Sequence, residues 1–128
     1  VDMRKGMMLV SLAGPGMNFL LAIVTAVVMK IVYSLPHTDN TVIAMTLLQP
    51  LLLYNVVLGV FNLIPVPPLD GSKILAGILP DSQAVVLDNL ERYGPIILLV
   101  LVFSGLIGTI LWPILNVILG FLSNFIFG

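Results

Sequence analysis

Between Met7 and Tyr33 the only charged residue is Lys30, and Ser11, Asn18 and Thr25 are the only other strongly polar side chains. A helix needs about 20 apolar residues to cross a hydrocarbon core of about 30 Å, and this stretch is longer than that. Its backbone polar groups can be satisfied in lipid only as a helix, so the stretch reads as a membrane span, about residues 7–33. Lys30 and Tyr33 lie near its end, where an ammonium snorkels and a phenol anchors at the headgroups. The apolar run is also far too long for the core of a signal peptide, about 7 to 15 residues.

Composition agrees. The 128 residues are 59% hydrophobic and 9% charged, against about a quarter charged in soluble domains. Net charge is -1, which supplies no basic face for a phosphate backbone, so nucleic acid is excluded as a partner. With Cys 0 there is no disulfide, thiolate metal site or cysteine nucleophile, and any metal must be held by oxygen or imidazole. His37 is the one histidine.

After Tyr33 a polar link, 34–41, leads to a second apolar run at about 42–64, which Gln49-Pro50 interrupts early. Pro65-Val66-Pro67-Pro68-Leu69-Asp70-Gly71 then ends regular helix, because three prolines remove amide donors and restrict the residues before them. Residues 72–93 mix charges with short apolar groups and read as an interfacial link. A third span is expected at 95–111, with Trp112-Pro113 at its edge, and 114–127 is a fourth segment of marginal spanning length. The expected fold is therefore an all-α membrane domain over 1–128, with three to four transmembrane helices and a Pro-rich broken segment at 65–71. Trp112 and the phenylalanines of the tail read as lipid-facing anchors. Arg4, Lys5, Lys73 and Arg92 fall on one side of a hairpin and Lys30 opposite, which puts the Asp70 end towards the cytoplasm.

A carboxylate beside an apolar span costs several kcal/mol unless a cation, metal or proton accompanies it, which makes Asp70 the most informative residue. Two readings stand: an ordinary interfacial carboxylate paired with Lys73, or a functional site. Around it, Asn62 offers an amide, the prolines free backbone carbonyls, and Gly71 permits a tight turn. Non-helical backbone at membrane depth is tolerated only where it lines a cavity or is buried in protein. Asn18, an amide within an apolar span, can serve packing through an interhelical hydrogen bond. Gly14, Asn18, Ala22 and Ala26 recur every fourth residue, a small-residue face expected to pack against the Asp70 helix. His37, alone in its loop, reads as a solvated histidine.

The composite Asn62-x-x-Pro65-x-Pro67-Pro68-Leu69-Asp70-Gly71 resembles the C-terminal signature of the site-2 protease family of intramembrane zinc metalloproteases. Ala13-Gly14-Pro15-x-x-Asn18 is similar to that family's A-G-P-x-x-N stretch, and the order of the two motifs agrees. The resemblance runs from about Met3 to Trp112. It implies a compact prokaryotic, multi-pass membrane peptidase that cleaves transmembrane or membrane-adjacent peptides, in contact with membrane lipid and with Asp70 as one zinc ligand. Asn62, Pro65 and Asn18 would then contact substrate or support the site. Two zinc-binding histidines and a general-base glutamate come, in that family, from an upstream H-E-x-x-H helix, and these 128 residues contain no such motif. The start at Val1 leads us to expect a fragment whose catalytic glutamate lies upstream, inactive by itself. Alternatives are a non-catalytic pseudoprotease that binds membrane peptides and an ion-coupled transporter subunit, which builds cation sites from broken helices.

Overall fold

The computed structural model describes residues 3–128, and these are mostly helical, with no strand among them. The helices are α1 (Met3–Ser34), α2 (Asp39–Asn62), α3 (Asp70–Ile78), α4 (Asp81–Leu90), α5 (Gly94–Phe103) and α6 (Leu106–Phe127), with a 3-10 turn at Glu91–Tyr93. Helices α1, α2 and α6 are long and apolar enough to cross a membrane. The all-α membrane architecture expected from the sequence is therefore what the chain adopts.

Helix α1 has 32 residues, about 48 Å at 1.5 Å per residue. It is the mast of the structure. Thr38 caps α2 reciprocally with Thr41: the Thr41 amide donates to Thr38 Oγ1 (3.3 Å) and the Thr38 amide to Thr41 Oγ1 (2.8 Å). A threonine thus does the work of the usual glutamate in this box, and α2 begins three residues before the expected Val42.

Close contacts at three glycines fix the register. A β-carbon on Gly59 of α2 would stand 2.9 Å from the Phe19 ring of α1; one on Gly14 of α1 would stand 3.0 Å from an Asp70 carboxylate oxygen; and one on Gly77 of α3 would stand 2.6 Å from Met8. Moving down α1 from Phe19 to Gly14 to Met8 therefore means moving forward through α2 and into α3. Helices α2 and α3 run in one direction along α1, joined by the break. Helix α6 packs across α1 and α2, and the buried core is Ala22, Ala26, Met29, Leu52, Val56, Val60, Ile107, Leu111, Leu115 and Ile126.

Three expectations are corrected. Residues 72–93 are not one surface link, because α3 packs along the N-terminal half of α1, and Gly77 has no side chain to hold the two apart. The expected spans 95–111 and 114–127 are divided elsewhere: the chain turns at Ser104–Gly105, where Gly105 has φ 82°, and Trp112-Pro113 lies inside α6. A left-handed residue ends a helix more firmly than a proline whose one missing donor leaves the rest of the ladder intact. At 10 residues α5 is about 15 Å long, half a hydrocarbon core. Finally, the small-residue face divides: Gly14 meets Asp70, whereas Ala22 and Ala26 are buried in the core with α2 and α6.

Candidate functional site

The break comprises residues 63–69, and Asp70 and Gly71 already belong to α3. Its residual hydrogen bonds are short-range: the Ile64 amide donates to the Phe61 carbonyl (3.1 Å), Val66 to Ile64 (2.9 Å) and Leu69 to Val66 (2.9 Å). Pro65, Pro67 and Pro68 contribute no amide, and the Pro67-Pro68 peptide is cis. This irregular backbone is nonetheless held from two sides. A β-carbon on Gly71 would collide with the Leu63 and Ile64 carbonyls, and one on Gly94 with the Pro67 carbonyl. Both glycines let helix starts press directly on the break. Ser72, buried at 6% exposure, donates from Oγ to the Leu69 carbonyl at 2.8 Å and closes the turn into α3.

This architecture sets Asp70 at the first position of α3, half-buried. The partial positive charge of the helix N-terminus favours a carboxylate there, typically by 0.3 to roughly 1 kcal/mol. The carboxylate abuts Gly14. Among the described residues it makes neither an ion pair nor a side-chain hydrogen bond, and Lys73, one turn further along α3, is not paired with it. The ordinary interfacial ion pair that the sequence left open is therefore not formed.

Asn62 is the last residue of α2 and half-buried, Pro65 lies exposed in the break, and Asn18 is half-buried one turn above Gly14 on α1. Asn62 follows Gly59, which meets Phe19, so it falls at the level of α1 between Phe19 and Gly14. Asn18, Asn62 and Asp70 thus share a slab of about 6 Å along the axis of α1. His37 does not. It is exposed in the loop at the other end of α1, its ring 5.6 Å from Tyr33, and the rise from Gly14 to Tyr33 is about 28 Å. The solvated-loop reading of His37 stands.

Two features were not anticipated from the sequence. Asn55, 8% exposed within α2, shares a helix face with Gly59 and Asn62 and donates Nδ2 to the Leu51 carbonyl at 2.8 Å; an amide inside an apolar span was the available signal. Beside the break lies a cavity of about 80 Å³ whose walls include Arg4, Pro67, Ser72, Lys73, Asp88 and Glu91. The Arg4–Asp81 ion pair ties the start of α1 to the start of α4 at this end.

Half-buried, unpaired, at a helix N-terminus and facing a residue without a side chain, Asp70 suits one metal ligand. It does not suffice for a metal. Among the described residues no group of three His, Cys, Asp or Glu could hold an ion, and a catalytic zinc takes three protein ligands.

Comparison with known proteins adds three findings. The family described as Peptidase family M50 matches residues 2–108. The Bacillus subtilis (strain 168) protein YwhC, which carries a provisional zinc metalloprotease name, is 34% identical over 116 residues, 88% of this chain and 53% of that protein. A protein of Methanocaldococcus jannaschii named a zinc metalloprotease is 29% identical over 126 residues, 97% of this chain and 34% of that protein. The chain thus spans about half the length of one relative and a third of the other. No solved structure gives a significant match.

Proposed function

The chain belongs to peptidase family M50, the site-2 protease family, and from that premise we propose that it is part of the core of a zinc-dependent membrane peptidase. Its substrates are transmembrane or membrane-adjacent peptides, and Asp70 is one of three protein ligands to the metal. One observation carries this reading: the helix is broken, clamped and restarted so that a half-buried carboxylate stands without a partner among the described residues, while a lysine one turn away leaves it alone. The other ligands, two imidazoles, and a general-base glutamate belong to an H-E-x-x-H segment outside these 128 residues.

Bound at such a site, zinc would supply a water of pKa near about 7 and a Lewis acid for the peptide carbonyl. The residues of this chain do the positioning. Asp70 stands at the N-terminus of α3, and Gly14 leaves room on the face its carboxylate presents. A substrate helix must be unwound before cleavage, because its own amides are paired. Asn62 and Asn18, at the level of Asp70, and the break around Pro65 offer the replacement hydrogen bonds. The positive-inside distribution puts this end at the cytoplasmic face of a prokaryotic membrane.

The test uses the protein as its gene encodes it. Asp70→Asn keeps size and shape, and on this reading it removes bound zinc and proteolysis of a membrane-peptide substrate while membrane insertion persists. Retained zinc with retained cleavage refutes the assignment. A wild-type protein that binds membrane peptides and neither holds zinc nor cleaves them is instead the non-catalytic binder, the reading favoured by the lack of H-E-x-x-H in these residues.

A further inference from the structure

We propose that Lys73 selects substrates, by receiving an acidic side chain one to three residues from the scissile bond, on the side facing the start of α1. This rests on the peptidase reading and names a substrate class for it.

Lys73 stands on α3 three residues after Asp70, half-buried. It lines two spaces at once. On one side is the 80 Å³ cavity, whose carboxylates Asp88 and Glu91 share its walls; among the described residues neither forms an ion pair with Lys73. On the other side is an open groove of about 370 Å³ whose floor is Met3, Gly6, Met7, Val10 and Ser11, one face of α1, with Lys73 as the only charged residue among the described residues that line it. The next turn of that α1 face is Gly14, against which the Asp70 carboxylate lies. The groove therefore leads to the proposed cleavage point, and its described walls are mainly apolar with one cation.

Distances set the reach. Lys73 lies about 4.5 Å beyond Asp70 along α3, and an extended peptide advances about 3.3 Å per residue. An ammonium on a flexible four-carbon stem thus meets side chains one to three residues from a bond held at Asp70. An ammonium left half-buried and unpaired is costly, and among the described residues Lys73 has no ion-pair partner that an arriving carboxylate would have to displace. The occupant is accordingly an apolar strand with an acidic residue in its juxtamembrane part. Charge complementarity of this kind discriminates among substrates more than it adds raw affinity.

The protein as its gene encodes it, loaded with zinc, is assayed on three membrane peptides that differ only at the two residues beyond the scissile bond on the α1 side: Glu, Gln or Lys. Wild type is expected to cleave the Glu peptide about tenfold better than the Gln peptide in kcat/KM, a ratio typical of one charge-assisted hydrogen bond. Lys73→Met should bring that ratio to about one, Lys73→Arg should restore it, and Lys73→Glu should invert it in favour of the Lys peptide. The readout is the ratio between peptides, with zinc content and thermal unfolding of each variant showing that it is folded. Equal cleavage of the three peptides by wild type, or a preference that survives in Lys73→Met, overturns the proposal. If wild type cleaves none, the peptidase reading fails. The charge preference is then read from binding of the same peptides, where equal affinity for Glu and Gln overturns it as well.

Discussion

Gly14→Ala separates the two demands on α1. An alanine β-carbon would stand 3.0 Å from an Asp70 carboxylate oxygen, tighter than nearly all real contacts, so the carboxylate must give by a few tenths of an ångström. Ligand distances in a zinc site tolerate about 0.2 Å, and disturbing what positions a ligand typically costs 10- to roughly 100-fold in metal affinity or activity. The helix itself gains, since alanine in place of glycine favours a helix interior by about 1 kcal/mol. Gly16→Ala is the built-in control: nothing lies within 4 Å of its β-carbon, so it has the same propensity gain with no neighbour to displace. The measurement is zinc content, cleavage rate and thermal unfolding in detergent for both variants beside wild type. Both should unfold no more easily than wild type, whereas only Gly14→Ala should lose zinc affinity and activity, by about tenfold or more. Full zinc and full activity in Gly14→Ala would refute the claim that Gly14 exists to leave the Asp70 carboxylate its position.

Gly71→Ala should be the damaging glycine change, because its β-carbon meets backbone carbonyls of Leu63 and Ile64 that cannot step aside as a side chain can; a loss of about 3 kcal/mol, the upper end for overpacking, is expected in denaturant unfolding in micelles. His37→Gln should leave zinc content and cleavage within twofold of wild type, since His37 lies about 28 Å along α1 from the Asp70 level; a tenfold drop in either would return it to the site.

The spans that physics writes most heavily into a sequence were legible, because lipid admits little but helix for residues such as 7–33. So was the break, which three prolines enforce. The path taken after the break was not. Lys73 and the charges of 81–92 suggest a surface link, yet α3 packs lengthwise on α1 through Gly77 and Met8, a fact about which residues lack side chains rather than about hydrophobic period. The turn at Ser104–Gly105 was missed because Trp112-Pro113 looks like the stronger stop. A serine-glycine pair is itself a turn signal, and only the left-handed φ at Gly105 shows which of the two the chain uses. At the site, the motif identified Asp70 and Asn62, but whether Asp70 pairs with Lys73 depends on side-chain geometry that spacing leaves open.

That last point turns stability into a test of purpose. A carboxylate kept for the fold is one the fold would miss. Asp70 has the helix N-terminus in its favour, up to about 2 kcal/mol for a partly buried group, and partial burial without a partner among the described residues against it. In the absence of metal the two nearly cancel, and Asp70→Asn should leave the metal-free protein at least as stable as wild type, as is common where a residue serves function at the expense of the fold. With zinc supplied, wild type should gain stability by mass action and the variant should not. The difference between those two shifts in unfolding temperature measures what Asp70 does for the metal alone. A metal-free variant less stable than wild type by more than about 1 kcal/mol, the size of an ordinary structural hydrogen bond, would mean that Asp70 holds the fold together, and the metal assignment would lose its main support.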